Sequence, residues 1–350
     1  MECFLRAKDE NGRGILVPDR HRPAPDAREV FVFPGSKEGK RESHRRLGGL
    51  MKLIERGLGG GPGEGDVAVI GVNYRLMPPL TKPLDKNITR QFYADPDHYA
   101  SPDAVAFVQQ QLIPRLLPEA EGKPPVTTLQ ERMSRLTFIA HSIGGLFSQM
   151  VCNELYRALD GRGYTNAEIG TICQSGVLIS TAGTNFVRTA VPRFTELTFQ
   201  ATNDHLFSKN FETYHPFFPN QVDKIRQAMG IDNLPEGFSI RQVPTGLLIA
   251  SPVPTQLDYF DGQNERTIGG EGKPDITHDP QPHWCLPSSP GPIDNSLAVK
   301  LKIQVLQKAV TRGPGLPDPA ALLTQGSLLT SPERALVQGQ LAARKTRGLF

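Results

Sequence analysis

The stretch Arg135-Leu136-Thr137-Phe138-Ile139-Ala140-His141-Ser142-Ile143-Gly144-Gly145 passes from one kind of pattern to another. Its first half is a short apolar run of the kind a buried strand requires. Beyond Gly144, Phe147, Met150, Val151, Leu155 and Leu159 recur at helical spacing until Asp160-Gly161 stops them. The pattern predicts a strand, a sharp turn and a helix. Ala140 and Gly144 lie two residues before and two after Ser142, where so tight a turn leaves room only for small side chains.

Working outward, Glu29-Val30-Phe31-Val32-Phe33 reads as a strand broken by Pro34-Gly35, and His44 to Leu58 as a helix stopped by the glycine-rich run Gly57 to Gly65. Val67 to Tyr74 is a nearly continuous apolar run, as expected of a central strand covered on both faces. Ser101-Pro102-Asp103 supplies a cap, a first-turn proline and an acidic residue for a helix running to about Leu117. Gly176 to Ser180 and Gly246 to Ala250 are further strands, and Asp294 to Val310 is a long helix with widely spread apolar residues. Strands alternating with helices predict an α/β fold, with a mainly parallel central sheet and helices on both faces.

Three segments fall outside this alternation. Residues 1–28 read as a polar, proline-rich N-terminal approach, and 313–350 as a C-terminal extension with a basic, weakly amphipathic helix. Residues 182–243, between two core strands, are long enough for an inserted cap. That segment holds Phe186, Phe194, Phe199, Phe207, Phe211, Tyr214, Phe217 and Phe218, which suit either an acyl-binding cleft or the cap's own core. The main domain is thus expected over 29–312.

Composition narrows the function classes. Lys and Arg number 39 against 36 Asp and Glu, an excess too small for a general nucleic-acid-binding surface. The first residues lack the apolar run of a secretion signal, and no stretch approaches the length needed to span a bilayer, so a cytoplasmic protein without a transmembrane segment is expected. Cys3, Cys152, Cys173 and Cys285 are scattered, with no zinc-like spacing. Gly (34) and Pro (31) together make about a fifth of the chain, which implies many turns and long connections.

On its small-x-Ser-x-Gly elbow between strand and helix, the chain resembles the α/β-hydrolases, particularly esterases and lipases. Asn73-Tyr74-Arg75-Leu76 also resembles a strand end in esterases. The resemblance implies an α/β-hydrolase fold and Ser142 as nucleophile, followed along the chain by an acid and then a histidine. His205 and His215 precede the strand at 246, which leaves His278 and His283. His278, behind the short extended Ile276-Thr277, is the favoured base, while His283 sits among Pro282, Trp284 and Pro287. His141 belongs to the turn itself. The acid arrives late: Asp258 is chosen, with Asp261 and Asp204 as alternatives.

The resemblance also assigns two oxyanion donors, the backbone N–H of Ile143 and one from the loop Pro34-Gly35-Ser36-Lys37. Proline has no N–H to give, so the donor is Gly35 or Ser36, with Ser36 preferred. The implied chemistry is serine hydrolysis of a small-molecule ester or related acyl bond, with no metal or organic cofactor. Acyl transfer to another acceptor would use the same triad, and a non-catalytic binding or scaffold protein would keep the fold without the chemistry. Oligomeric state is not legible.

Overall fold

A computed structural model describes residues 1–8, 10, 14–19, 27–35, 40–59, 67–74, 91–92, 94–118, 122–141, 144–181, 191–201, 238–243, 246–251 and 297–347. The strands are β1 (Glu2–Lys8), β2 (Gly14–Pro18), β3 (Arg28–Phe33), β4 (Val67–Asn73), β5 (Leu136–His141), β6 (Val177–Thr181), β7 (Thr195–Ala201), β8 (Ser239–Val243) and β9 (Gly246–Ser251). They form one sheet in the order β2-β1-β4-β3-β5-β6-β7-β9-β8. From β4 to β9 neighbouring strands are parallel, and the sheet is closed at each edge by an antiparallel pairing, β1 with β4 and β2 on one side and β8 with β9 on the other.

Side chains alternate across this sheet because successive strand residues point to opposite faces. Phe31, Phe33, Phe138, Ala140 and Leu178 face one helical layer, whereas Val30, Val32, Ile139, Val177 and Ile179 face the other. The first layer holds α2 (Pro102–Phe107), α3 (Ile113–Leu116), α4 (Val126–Ser134), α5 (Gly144–Asp160) and α6 (Asn166–Gln174). The second holds α1 (Lys40–Gly57), α7 (Leu297–Thr311), α8 (Pro319–Thr324) and α9 (Ser331–Arg347). Helices covering both faces explain why the central strands read as uninterrupted apolar runs. The ring of Phe33 meets those of Phe107 and Phe147 edge-on, each at 5.2 Å, which locks β3 to α2 and α5.

The helix expected from 102 to 117 is broken into three by a π-helical turn, Val108–Leu112, between α2 and α3. Pro114 is the physical reason: it has no N–H for the preceding turn and its ring crowds a carbonyl there, and a wider turn relieves both problems. The Arg115 guanidinium occupies the region, donating from Nη1 to the Gln111 carbonyl at 2.8 Å. From Nε and Nη2 it grips the buried Glu29 carboxylate at 2.5 and 2.9 Å. At the opposite side of β3, Arg28 donates to the carbonyls of Val310 and Arg312, at 2.7 and 2.9 Å, and so ties the end of α7 to the start of the strand.

Three segments belong to the sheet and its layers more closely than their sequence indicates. Within 1–28, β1 pairs with β4 through Cys3 opposite Val72 and Phe4 opposite Gly71, so the N-terminal approach supplies two strands. Within 182–243, expected as an insertion, β7 and β8 are members of the sheet. Phe194 stacks on Phe138 at 4.3 Å and Phe199 lies in the second layer's core; both are core residues, not cleft aromatics. The other six aromatics named for the cap lie outside the described residues. Within 313–350, α8 and α9 bury Leu322, Leu323, Val337 and Leu341 against that same core. Among the described residues no helix is long and apolar enough to cross a membrane.

Candidate functional site

The connections leaving β3 and β5 diverge. From β3 the chain passes through α1 on one face to β4, and from β5 it passes through α5 and α6 on the other face to β6, on the opposite side of the sheet. Adjacent parallel strands whose connections part in this way leave a crevice beyond their carboxyl ends, the position where open α/β sheets bind ligands. Phe33, Pro34 and Gly35 lie on one side of it, and His141 and Gly144 on the other.

The two sides touch at Gly144. A β-carbon there would lie 2.3 Å from the carbonyl oxygen of Phe33 and 3.0 Å from its carbonyl carbon, so the first turn of α5 rests on the backbone end of β3. Glycine is required by space. Ala140, opposite Phe33 on one neighbouring strand and Ser180 on the other, is buried on the face that α5 covers. By strand alternation His141 belongs with Ile139 to the other face, and it lies opposite Thr181.

Tyr74, just beyond β4, fixes the other wall. It is buried, its hydroxyl donates to the Pro34 carbonyl, and its ring stacks on Phe147 of α5 at 3.9 Å with 12° between planes. Burial pushes the phenol pKa far up, so the hydroxyl stays a neutral donor throughout the working range. One side chain thereby joins the end of β4, the loop after β3 and the helix after β5. In the sequence this tyrosine carried only a resemblance; its hydrogen bond to a proline carbonyl 40 residues away leaves no local signal.

Further along α5 the helix buries polar groups. Asn153 donates to the carbonyls of Pro96 and Tyr99 at 2.9 and 2.8 Å, which holds the segment before α2 against the helix. Ser148 donates back to Gly145, at 2.7 Å, within the first turns. The thiol of Cys152 is pushed up to about 11, chiefly by burial, despite the lowering influence of the Arg193 guanidinium.

The residues assigned to chemistry all lie outside the described residues: Ser142 and Ile143 between β5 and α5, Ser36 after Gly35, and His278 and Asp258 after β9. The same is true of His283, Asp261 and Asp204. The structure therefore defines the frame around the turn, namely Pro34, Gly35, Tyr74, Ala140, His141 and Gly144. Missed in the sequence is β7, which stands beside β6 in the sheet. Among the described residues no group of three or more His, Cys, Asp or Glu side chains is arranged to hold a metal ion. No protein-family model matches the chain, and a search of curated proteins finds none similar to it.

Proposed function

We propose that the protein is an α/β-hydrolase-fold serine hydrolase acting on an ester or related acyl bond. The observation that carries the reading is the approach of Gly144 to the Phe33 carbonyl at the point where the connections of β3 and β5 diverge. A strand ending at His141 and a helix starting at Gly144, packed that tightly on the neighbouring strand, suit a nucleophile elbow, in which the hydroxyl of Ser142 would stand clear of the backbone.

In the proposed reaction His278, or His283 in its place, takes the proton from the Ser142 hydroxyl as the oxygen bonds to the substrate carbonyl carbon. Negative charge gathers on the carbonyl oxygen, where the amides of Ile143 and of Ser36 or Gly35 would receive it. The tetrahedral intermediate collapses, the protonated histidine gives its proton to the departing alkoxide, and an acyl-serine remains. Water then repeats the sequence: it loses a proton to the histidine, adds to the acyl carbon, and frees the acid and the serine. A carboxylate holds the histidine in the correct tautomer, from among Asp258, Asp261 and Asp204.

The test is hydrolysis of p-nitrophenyl esters from acetate to palmitate. Expected is turnover with at least one acyl length that Ser142→Ala reduces by roughly 10³-fold or more. A folded Ser142→Ala variant that hydrolyses the same ester at the wild-type rate contradicts the proposal.

A further inference from the structure

The two edges of the sheet differ. α9 packs against β8, whereas β2 has no neighbour on its outer side among the described residues. The β2 sequence, Gly14-Ile15-Leu16-Val17-Pro18, holds no charged residue, and Ile15 is 42% exposed. Edge strands are ordinarily blunted by charge against pairing with another chain, and this one is not.

The register fixes which backbone groups face outward. The Asp19 N–H donates to the Cys3 carbonyl at 2.8 Å, which makes these two a hydrogen-bonded pair. Such pairs alternate with non-hydrogen-bonded ones in an antiparallel ladder, so Val17 with Leu5 and Ile15 with Ala7 bond inward as well. Gly14, Leu16 and Pro18 therefore turn their backbone groups away from β1. Pro18 stands where its missing N–H costs no bond to β1. The outer edge thus offers the N–H groups of Gly14 and Leu16 and the carbonyls of Gly14, Leu16 and Pro18.

That edge is complementary to a second copy of itself. Set two β2 strands antiparallel about a two-fold axis at Leu16, and each Leu16 N–H meets the Leu16 carbonyl of the other copy. Each Gly14 N–H then meets the other copy's Pro18 carbonyl, and every outward donor of both strands is satisfied. On the face turned toward the first helical layer, Ile15 of each copy comes opposite Val17 of the other. β1 already places Ala7 beside Ile15 and Leu5 beside Val17, so two apolar rows run unbroken across four strands. Asp19 follows on the same face. The same register sets it opposite position 13 of the other copy, an arginine in the sequence, so opposite charges flank the apolar centre at both ends. On the other face Leu16 packs beside Gly48 of α1, a contact that pairing leaves in place.

We propose that the protein forms a two-fold dimer through β2, joining two nine-stranded sheets into one. The dimer is independent of the Ser142 reading, because β1 and β4 stand between β2 and the strands that frame the candidate crevice. Main-chain hydrogen bonds supply the affinity of such strand addition, and side chains supply its register.

Sedimentation equilibrium of the full chain, together with disulfide trapping, tests it. Expected is a mass that rises from one chain to two between about 1 and 100 μM, the range of a small interface. Ile15→Lys sets a charge on each side of the axis; it keeps a cooperative urea transition and shifts that rise to at least about tenfold higher concentration. Trapping reads the register, since residues directly opposite in a non-hydrogen-bonded pair lie within disulfide reach. Ile15→Cys mixed with Val17→Cys under oxidised glutathione gives a linked dimer of one copy of each, mapped to the two introduced thiols, while neither variant links to itself. A chain that sediments as one copy throughout overturns the dimer. A dimer that folded Ile15→Lys leaves unchanged, or a mixture that forms no mixed disulfide, overturns the assignment to β2. Ile15→Cys linking to itself contradicts the axis at Leu16. If Ile15→Lys fails to fold, the trapping decides.

Discussion

The carbonyl oxygen of Phe33 occupies the space that a β-carbon on residue 144 would need, at 2.3 Å. Any larger residue at Gly144 must push α5 away from the end of β3, and the obstacle is backbone, which cannot rotate aside. Gly144→Ala is therefore expected to destabilise the protein by about 1–3 kcal/mol in urea titrations. Gly339, in α9, is the control: a β-carbon there meets nothing within 4 Å, so Gly339→Ala is expected to stabilise by about 0.5–1 kcal/mol. Equal effects at the two glycines would show that the contact at Gly144 is not tight.

Tyr74→Phe removes one hydroxyl and keeps the ring on Phe147. The buried Pro34 carbonyl loses that donor, so a loss of about 1–2 kcal/mol is expected in the same titrations. Because the hydroxyl holds the loop at Pro34-Gly35, the variant is also expected to slow fluorophosphonate labelling without abolishing it. Unchanged stability would remove Tyr74 from the frame of the site.

Parts of this frame were legible because their chemistry is local. β3, β4 and β5 are apolar on both faces, and α5 repeats its apolar residues at helical spacing, so each could be read from a short window. β7 could not. Toward the first helical layer it turns Glu196, Thr198 and Gln200, which are only 2%, 0% and 3% exposed. Polar side chains at alternate positions imitate an exposed strand or a loop; here Thr198 donates to the Glu196 carboxylate, at 3.0 Å, inside the fold. The α9 helix misleads in the other direction. It buries Val337 and Leu341, four residues apart, but leaves Leu336, beside Val337 in the chain, 46% exposed, which blurs the stripe. The proposed site is harder still, since its candidate acids and bases come after β7 and β9 in the chain, strands whose order in the sheet no local pattern reveals.

The described cysteines should be inert while the chain is folded. Burial chiefly pushes the Cys3 thiol up to about 12 and Cys152 up to about 11, and it raises Cys173 as well. Only the thiolate reacts, so a disulfide reagent at pH 8 is expected to modify none of these three in native protein and all three in guanidinium. Peptide mapping that finds rapid native modification of Cys152 or Cys173 would contradict the packing of α5 and α6.

At the start of α6, Thr165 and Glu168 cap the helix reciprocally: the Thr165 amide donates to the Glu168 carboxylate at 2.7 Å, and the Glu168 amide to the Thr165 hydroxyl at 3.3 Å. The bond from the Thr165 backbone is the main cause that lowers the Glu168 pKa below its ordinary value. A carboxyl pKa depressed on folding contributes stability above the unfolded-state value, and that contribution is lost as pH falls through the folded-state value. Wild type should therefore exceed Glu168→Gln in urea midpoint at pH 7, and the difference should close as the medium is acidified below the ordinary carboxylate range. A difference that persists unchanged in acid would mean that the charge of Glu168 is not what caps the helix.

The central claim is that Ser142 is a nucleophile. Intact-mass analysis of the full-length protein after exposure to a fluorophosphonate, followed by peptide mapping, tests it most directly. One adduct per chain on the peptide holding Ala140-His141-Ser142-Ile143-Gly144, absent from Ser142→Ala, is the expected result. Folded wild-type protein that acquires no adduct, under conditions that fully label a control serine hydrolase, would contradict it.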